Sequence, residues 1–339
     1  MPHKKLNVAL IGYGYWGKNL LRNLVQHPDI HQTYLCDQNE SAIKLALKTY
    51  PTLITSKDYK DFLLNEKIDA FVIATPTSSH YQIAKAALEH GKHVLVEKPF
   101  VTSVKEAQEL CKLAKAKEKI IMVDHVFMYN PVVIKLKEFV TEQQLGQMNY
   151  IDSTRINLGI YQNDTNVLWD LACHDLSIIN YLIDEKPLAV RAIGRVHPAQ
   201  GFEDLAYLFL KYKSGMLVQI NTSWASPVKI RKMLIGGERK LIVYDDIEPT
   251  HKLVIYDYKN QIKHSDSKES KLIDYRLGNA TIPKYELTEP LKNVMDAFVK
   301  SIHTGNPPLS SGENALEIIN VLEKAEISLN SNSDLIPLH

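Results

Sequence analysis

The chain has 339 residues, which is long for one hydrophobic core and suits two domains of ordinary size. Hydrophobic residues make up 45% and charged residues 23%, and the net charge of +1 excludes a basic field that would attract nucleic acid or an anionic membrane. Apolar runs are shorter than the ~18–20 residues that a membrane span needs, and the first residues do not have the pattern of a secretory signal. The three cysteines are too few and too scattered for a disulfide framework or a zinc cluster. We expect a cytoplasmic protein with no metal site, no nucleic acid and no membrane among its partners.

The first 125 residues alternate short apolar segments with amphipathic ones. Strands buried on both faces are indicated at Asn7–Ile11, Thr33–Cys36, Ala70–Ala74, His93–Val96 and Ile120–Val123. Helical spacing of apolar residues is found at Tyr15–Gln26, Glu40–Thr49, Asp58–Leu64, Ser79–His90 and Val104–Ala116. Such alternation predicts an α/β domain with a doubly wound parallel sheet over residues 1–125.

Beyond residue 125 the pattern becomes a run of strands flanked by helices. Helices are predicted at Val132–Thr141, Thr165–Ile183, Leu291–His303 and Glu313–Leu329. Strands are predicted at Asn149–Ile156, Ala189–Val196, Leu205–Tyr212, Met216–Trp224, Arg231–Ile235, Leu241–Tyr244 and Leu253–Tyr258, and the polar stretch Lys259–Ser270 predicts a mobile loop. We expect an α+β domain over residues 126–339 with a large open, mainly antiparallel sheet, the last helix packing back between the domains.

The open face of that sheet is expected to need a cover. We place Tyr207, Phe209, Val218 and Ile220 on it, and a large exposed apolar surface favours association. A homodimer or homotetramer through the C-terminal sheet is therefore predicted.

A glycine-rich turn joins the first strand to the first helix. The sequence Gly12-Tyr13-Gly14-Tyr15-Trp16-Gly17 has the spacing of a dinucleotide-binding turn, in which the helix N-terminus receives the pyrophosphate. The first domain is therefore a predicted Rossmann domain. Asp37 follows the second strand, where an acid binds the adenosine ribose and repels a 2′-phosphate, so NAD is favoured over NADP. Asp37 could also cap the next helix.

Chemically active side chains follow two further strands. Thr75, Pro76 and His80 come after the third predicted strand, at the edge where ligands of parallel sheets bind. Lys98, within Glu97-Lys98-Pro99, follows the fourth, although a surface lysine would also fit. The predicted cofactor contacts are Gly12, Gly14, Tyr15, Trp16, Gly17, Asp37, Thr75, Pro76, His80, Glu97 and Lys98.

The helix predicted at Thr165–Ile183 carries an acid and an imidazole four residues apart. Asp170 and His174 share a helix face, and a carboxylate can orient the ring that takes a proton from a hydroxyl. A surface pair beside a buried Trp169 remains the alternative, and Cys173 is interpreted as core.

Together these motifs resemble the Gfo/Idh/MocA family of glucose–fructose oxidoreductase, inositol dehydrogenase and related sugar dehydrogenases. The resemblance extends over nearly the whole chain, to the closing helix that begins at Ser311-Gly312-Glu313. It implies that Lys98, Asp170 and His174 are catalytic and that Lys98–Pro99 is a cis peptide. The stretches His125–Pro131 and Asn166–Asp170 depart from the commonest family pattern and look like a subgroup of surface-polysaccharide and nucleotide-sugar pathways.

The resemblance implies oxidation of a sugar hydroxyl by hydride transfer to NAD, with His174 accepting the proton, Asp170 orienting it and Lys98 stabilising the developing alkoxide. The site is expected in the cleft between the domains, with His125 and Asn130 near the nicotinamide. Predicted substrate contacts are Lys98, Arg155, Asn157, Tyr161, Asp170 and His174, although Arg155 could equally form a structural ion pair. Two alternatives stay open: an NADPH-dependent keto-sugar reductase, and a non-catalytic dinucleotide- or sugar-sensing regulator.

Overall fold

The structure is a computed structural model that describes residues 4–159, 165–197, 201–263 and 272–338, with the backbone alone for 258–263 and 272–277. The chain divides into two compact units, the first formed by residues 1–130 and 288–323 and the second by residues 131–287 and 324–339.

The strands are, in chain order, β1 (Leu6–Ile11), β2 (Ile30–Cys36), β3 (Ile54–Ser56), β4 (Ala70–Ile73), β5 (His93–Val96), β6 (Ile121–Val123), β7 (Met148–Leu158), β8 (Pro187–Arg195), β9 (Leu205–Tyr212), β10 (Leu217–Ser223), β11 (Ala225–Gly237), β12 (Lys240–Asp245), β13 (Leu253–Lys263), β14 (Leu272–Thr281) and β15 (Ile336–Pro337). The α-helices are α1 (Tyr15–Gln26), α2 (Glu40–Thr49), α3 (Lys60–Leu63), α4 (His80–Glu89), α5 (Val104–Ala116), α6 (Pro131–Thr141), α7 (Cys173–Leu182), α8 (Pro290–Thr304) and α9 (Gly312–Asn330).

The first unit is built on a parallel sheet of six strands in the order β3-β2-β1-β4-β5-β6. Its central strands are mainly apolar, and Leu10, Val72 and Leu95 are buried, as expected of a parallel sheet with helices on both faces. The strand order reverses at β1 and β4, and ligands of such sheets bind at the carboxyl ends next to this point. The predicted doubly wound Rossmann sheet is confirmed. Strand β3 was not predicted, because three residues carry too little periodicity.

The second unit contains a nine-stranded sheet in the order β14-β13-β12-β11-β7-β10-β9-β8-β15. Neighbours pair antiparallel except for β7 and β10, which run parallel. The predicted large, mainly antiparallel sheet is therefore confirmed.

The mobile loop predicted at Lys259–Ser270 is wrong at its start, because β13 continues to Lys263 and pairs with β14. Backbone hydrogen bonds make this ladder, so polar composition did not reveal it. Residues 264–271 lie outside the described part of the chain.

One face of the nine-stranded sheet is apolar and buried, while the other is open in this chain. Tyr207 and Phe209 are exposed, as predicted, with relative accessibilities of 37% and 36%. Val218 and Ile220 were placed wrongly, since both are buried: the antiparallel register sets them opposite Leu210 and Leu208, on the covered face. No helix in the described residues is long and apolar enough to cross a membrane.

Candidate active site

The glycine-rich turn leads from β1 into α1, and its three glycines answer three different steric demands. Gly12 has φ of +99°, and a Cβ there would lie 2.5 Å from the Ala74 carbonyl oxygen. A Cβ on Gly17 would overlap the Gly12 carbonyl, so Gly17 allows α1 to pack against the turn. Gly14 is different, because its missing side chain faces open space with no protein atom within 4 Å. That space, in front of the free N–H groups that begin α1, fits a pyrophosphate.

The two aromatic residues of the turn lie on its outer surface. Tyr15 and Trp16 are 76% and 42% exposed and pack edge to face, with ring centroids 5.9 Å apart. They stand at the first turn of α1, beside the open space at Gly14. Their predicted contact with a cofactor stays a prediction.

Asp37 directly follows β2, with its carboxylate next to the glycine turn. One oxygen accepts a hydrogen bond from Tyr13 N at 2.7 Å and the other from Asn39 N at 2.8 Å. The cap of α2 is Asn39, whose side chain accepts from Ser41 N, so Asp37 does not serve as that cap. Each carboxylate oxygen keeps a second lone pair for a ribose hydroxyl. The half-buried carboxylate therefore fits the adenosine ribose of a dinucleotide.

His80 joins the segments that follow β4 and β5. Its imidazole is 1% exposed, with Nδ1 2.9 Å from the Pro99 carbonyl and Nε2 2.9 Å from the Thr75 carbonyl. Both partners are acceptors, so the two contacts are satisfied together when both ring nitrogens carry a proton. Thr75 is further held by Ser79, whose hydroxyl donates to Thr75 Oγ1 at 2.7 Å. The sequence predicted His80 near the cofactor, and the structure shows it fixing the backbone of both segments.

Lys98 stands directly after β5, half-buried at the carboxyl edge of the parallel sheet. The Lys98–Pro99 peptide is cis, as predicted. Glu97 is buried, and its Oε2 accepts from Lys98 N at 3.1 Å. Lys98 therefore stands at the carboxyl edge of the parallel sheet, the edge that the glycine-rich turn after β1 also occupies.

Two buried polar residues, Asp124 and His125, follow β6 at the same edge. Burial raises the pKa of Asp124 to about 6 and lowers that of His125 to about 3. Neither ring nitrogen of His125 has a hydrogen-bond partner within the described residues. Buried polar atoms of this kind are uncommon and indicate a missing partner. Asp124 was missed by sequence analysis, although it follows a predicted strand as Asp37 and Lys98 do.

In the second unit, the predicted helix at Thr165–Ile183 has a different start. Leu168–Ala172 is wound as a π-helix, and α7 follows from Cys173. Asp170 lies in the π-helical segment and His174 in the first turn of α7, so a single α-helix through both was wrong. Side chains of Asn166 and Trp169 fix the segment: Asn166 Oδ1 accepts from Leu168 N at 3.1 Å, and the Trp169 indole donates to Glu326 at 3.3 Å. Isolated π-helical turns occur frequently at functional sites.

The carboxylate of Asp170 is held by a distant tryptophan. Trp224 follows β10, and its indole Nε1 donates to Asp170 Oδ2 at 2.8 Å. The Trp224 ring is buried and packs at Gly159, where a Cβ would lie 2.7 Å from it. Both residues belong to the second unit. Trp224 thus fixes the orientation of Asp170, a role that sequence analysis missed.

Arg155 on β7 forms a buried ion pair with Asp175 on α7. Its Nε and Nη2 donate to the two carboxylate oxygens at 2.7 and 3.1 Å, and Ser153 adds a hydrogen bond of 3.0 Å. Arg155 and Asp175 are 2% and 3% exposed. This is the structural ion pair that the sequence left open, and it ties α7 to the sheet.

The remaining predicted residues of the second unit are Asn157, Tyr161 and Cys173. Asn157 is half-buried near the end of β7, and Tyr161 lies outside the described residues. Cys173 is buried, which confirms its interpretation as core. Within the described residues, no group of three or more His, Cys, Asp and Glu side chains is placed to hold a metal ion.

Comparison with known proteins identifies the class. The family described as "Oxidoreductase family, NAD-binding Rossmann fold" matches residues 6–125, and "GFO/IDH/MocA C-terminal domain" matches residues 133–243. The chain is an oxidoreductase with an NAD-binding Rossmann domain. It belongs to the Gfo/Idh/MocA family, so the predicted family and enzyme class are confirmed.

The relatives include dehydrogenases of sugars and cyclitols. The chain is 28% identical over 251 residues to UDP-N-acetylglucosamine 3-dehydrogenase of Acidithiobacillus ferrooxidans, covering 72% of this chain and 75% of that protein. It is 25% identical over 256 residues to scyllo-inositol 2-dehydrogenase (NAD(+)) of Bacillus subtilis, with the same coverages of 72% and 75%. Among solved structures, GenD2 from gentamicin A biosynthesis in complex with NAD has a TM-score of 0.84 at 20% identity, covering 100% of this chain and 98% of that one.

Proposed function

We propose that the protein is an NAD-dependent dehydrogenase that oxidises a hydroxyl of a sugar. We propose further that this sugar is activated by a nucleotide. The observation that carries the proposal is Lys98, a half-buried ammonium at the same sheet edge as the open glycine turn. The similarity to UDP-N-acetylglucosamine 3-dehydrogenase supports the nucleotide-sugar class.

The residues of the first unit would hold the dinucleotide. The N–H groups at the start of α1 would receive the pyrophosphate, and Asp37 would accept hydrogen bonds from the adenosine ribose. Gln38 and Asn39 beside Asp37 offer no cation for a 2′-phosphate, which supports NAD over NADP. His125 supplies buried ring nitrogens for a polar group of the ligand. Bound NAD would accept the hydride from the substrate carbon.

The catalytic residues would handle the hydroxyl group. Lys98 Nζ donates to the hydroxyl oxygen and stabilises the negative charge that grows on it. An imidazole nitrogen of His174 accepts the hydroxyl proton, and Asp170 orients that imidazole while Trp224 holds Asp170.

The test is turnover by purified protein with NAD or NADP and a panel of UDP-sugars, TDP-sugars, inositol and free hexoses. We expect a gain of reduced-nicotinamide absorbance with NAD and a nucleotide-sugar. Tight NADPH binding with weak NADH binding would favour the keto-sugar reductase instead. Dinucleotide binding without turnover on any panel member would contradict the dehydrogenase and favour a sensing role.

We also propose a cytoplasmic homodimer or homotetramer. Ile193, Tyr207 and Phe209 are exposed on one face of the large sheet, and Tyr150 and Leu217 are exposed on the same face. A second copy would cover this apolar surface. Cys36, Cys111 and Cys173 are buried and form no disulfide, which is consistent with a reducing compartment. Light scattering at micromolar concentration tests the assembly, and a monomeric mass would contradict it.

A further inference from the structure

A lysine stands beside Asp37, although the sequence neighbours of Asp37 offer no cation. Lys57 directly follows β3, as Asp37 directly follows β2. The two strands pair in parallel, and Asp37 N donates to the Ser56 carbonyl oxygen at 3.2 Å, so the ladder continues to Asp37 and Lys57. Adjacent strands lie about 4.8 Å apart. The backbone of Lys57 is therefore next to the residue that we assign to the adenosine ribose.

The ammonium group of Lys57 is bound by Glu40, the first residue of α2. Lys57 Nζ lies 2.7 Å from Glu40 Oε2, and Lys44 Nζ lies 2.8 Å from Glu40 Oε1. Hydrogen bonds from Lys44 and Lys57 lower the pKa of Glu40 to about 2, so Glu40 is ionised at neutral pH. The three side chains are 54% to 70% exposed, and ion pairs at such exposure are weak because water and salt screen them. The contact with Glu40 is therefore one that Lys57 could exchange for a phosphate.

NAD and NADP differ by one phosphate group on the adenosine ribose, at the hydroxyl next to the acid that follows β2. A 2′-phosphate at this position would meet the carboxylate of Asp37 and, three residues further along the chain, that of Glu40. A lysine binds phosphate as a compact charge on a flexible stem. Lys57 has the charge and the place for this contact, but its ammonium group is bound by a carboxylate.

We propose that Glu40 is a second determinant of the preference for NAD: by binding Lys57, it withholds from a 2′-phosphate the cation that stands beside Asp37. This inference rests on the proposed NAD preference and on the proposed place of the ribose at Asp37. Glu40 and Lys57 are specificity residues and not catalytic ones, because they act at the adenosine end of the dinucleotide.

Two further carboxylates limit the size of the effect. Burial raises the pKa of the Cys36 thiol to about 12, and the nearby charge of Asp37 adds to this rise. Asp58 and Asp61 contribute in the same sense, so they are close enough to oppose a 2′-phosphate as well. Substitution of Glu40 alone should therefore strengthen NADP binding without making it tighter than NAD binding.

The first test measures the dissociation constants of NAD and NADP by calorimetric titration, with no sugar present. Glu40→Gln removes the carboxylate and releases Lys57. We expect the affinity for NADP to rise about threefold to tenfold, while the affinity for NAD stays within about twofold. The gain should shrink at high ionic strength, because the charges are exposed. An unchanged ratio of the two dissociation constants would overturn the proposal.

Two double variants test whether the gain depends on Lys57. Glu40→Gln/Lys57→Ala should lose most of the gain, because the released cation is absent. Glu40→Gln/Lys44→Ala is the matched control and should keep the gain, because Lys44 lies one turn along α2 and not opposite Asp37. A gain of equal size in both double variants would show that Glu40 acts by repulsion alone, and this would overturn the role of Lys57.

A control for the loss of an exposed ion pair is found elsewhere in the first unit. Glu109 on α5 pairs with Lys85 on α4 at 2.6 Å. Glu109→Gln should leave both dissociation constants unchanged, and a shift equal to that of Glu40→Gln would contradict a local effect. Thermal unfolding should show that all variants are folded, because the substituted side chains are exposed.

These binding measurements separate this inference from the proposed reaction. If no sugar is oxidised but Glu40→Gln gains NADP affinity through Lys57, the inference stands and the assigned reaction fails. If NAD-dependent turnover is found but Glu40→Gln leaves the ratio of dissociation constants unchanged, the dehydrogenase stands and this inference fails. If the wild type binds NADP as tightly as NAD, the proposed NAD preference fails and this inference fails with it.

Discussion

The two units position their polar residues by different means. In the first unit, backbone turns directly after β1, β4 and β5 place the side chains, and glycine, proline and His80 determine those turns. In the second unit, side chains from distant positions hold the Asn166–Asp175 segment, through Arg155 on Asp175 and Trp224 on Asp170. The first arrangement depends on local conformation and the second on tertiary contacts. In the first unit, substitutions should therefore affect either folding stability or ligand binding, depending on the position. In the second unit, substitutions should act mainly by removing hydrogen bonds or ion pairs between distant residues.

The sharpest test of this contrast compares two glycines of one turn. Gly12→Ala requires an alanine at φ of +99° and 2.5 Å from the Ala74 carbonyl oxygen, so we expect a loss of about 4 kcal/mol or more in the free energy of unfolding. Gly14→Ala meets no protein atom within 4 Å and should change stability by less than about 0.5 kcal/mol.

Gly14→Ala should change dinucleotide binding strongly, although it should change stability little. Its added methyl group would occupy the space assigned to the pyrophosphate, so we expect NAD affinity to fall at least about tenfold in a fully folded variant. Urea unfolding and calorimetric titration check both results. If Gly14→Ala bound NAD with the affinity of the wild type, the pyrophosphate would not lie at this position.

In the second unit, Asp175→Asn should cost about 3–5 kcal/mol of stability, because it leaves the buried guanidinium of Arg155 without its counter-charge. Denaturant unfolding measures the change. Asp184→Asn is the control, since Asp184 pairs with Lys137 at 3.1 Å while its side chain is 97% exposed. Equal effects of the two substitutions would show that the buried pair does not stabilise α7.

The sequence predicted the first unit better than the second, because the first depends on local conformation and the second on tertiary contacts. The bounds of α1, α2 and α5 agree with the predicted ones, and Gly12 and Lys98 stand at the expected strand ends. In the second unit, helical spacing placed Asp170 and His174 on one face of an α-helix, but the π-helical segment alters that relation. Trp224 contacts Asp170 across 54 residues of sequence, and no local pattern marks such a contact. Asp124 was missed because its burial after β6 depends on tertiary packing.

A smaller effect is expected at Trp224. Trp224→Phe keeps an aromatic ring but removes the hydrogen bond to the Asp170 carboxylate, so we expect kcat to fall about tenfold with NAD affinity unchanged. Trp169→Phe is the matched control, because its indole donates to Glu326 instead. Steady-state kinetics decide the matter, and equal kcat values for both variants and the wild type would show that Trp224 does not orient Asp170.

A further predicted effect concerns the pH dependence of stability. Burial lowers the pKa of His93 to about 4, and its Nδ1 accepts from Ile120 N at 3.0 Å, which requires the neutral ring. Between pH ~6.5 and ~4 the unfolded chain binds a proton here that the folded chain does not, so stability is lost as the pH falls. His93→Gln should remove about 3 kcal/mol of that pH dependence.

Unfolding curves of His93→Gln at several pH values, beside those of the exposed His31→Gln, measure this contribution. Parallel pH dependences in the wild type and in both variants would show that His93 is not held neutral by its surroundings.

The central claim is that Lys98 and His174 act on one hydroxyl group, and a double-mutant cycle on kcat tests it most directly. Lys98→Ala and His174→Ala should each lower kcat by about a thousandfold or more, with NAD binding by Lys98→Ala staying within a few-fold of the wild type. Because groups that act as a unit are not additive, the double variant should be scarcely slower than the slower single variant. The account would be contradicted if Lys98→Ala turned over at the wild-type rate. It would also be contradicted if the fold-loss of kcat in the double variant equalled the product of the two single losses.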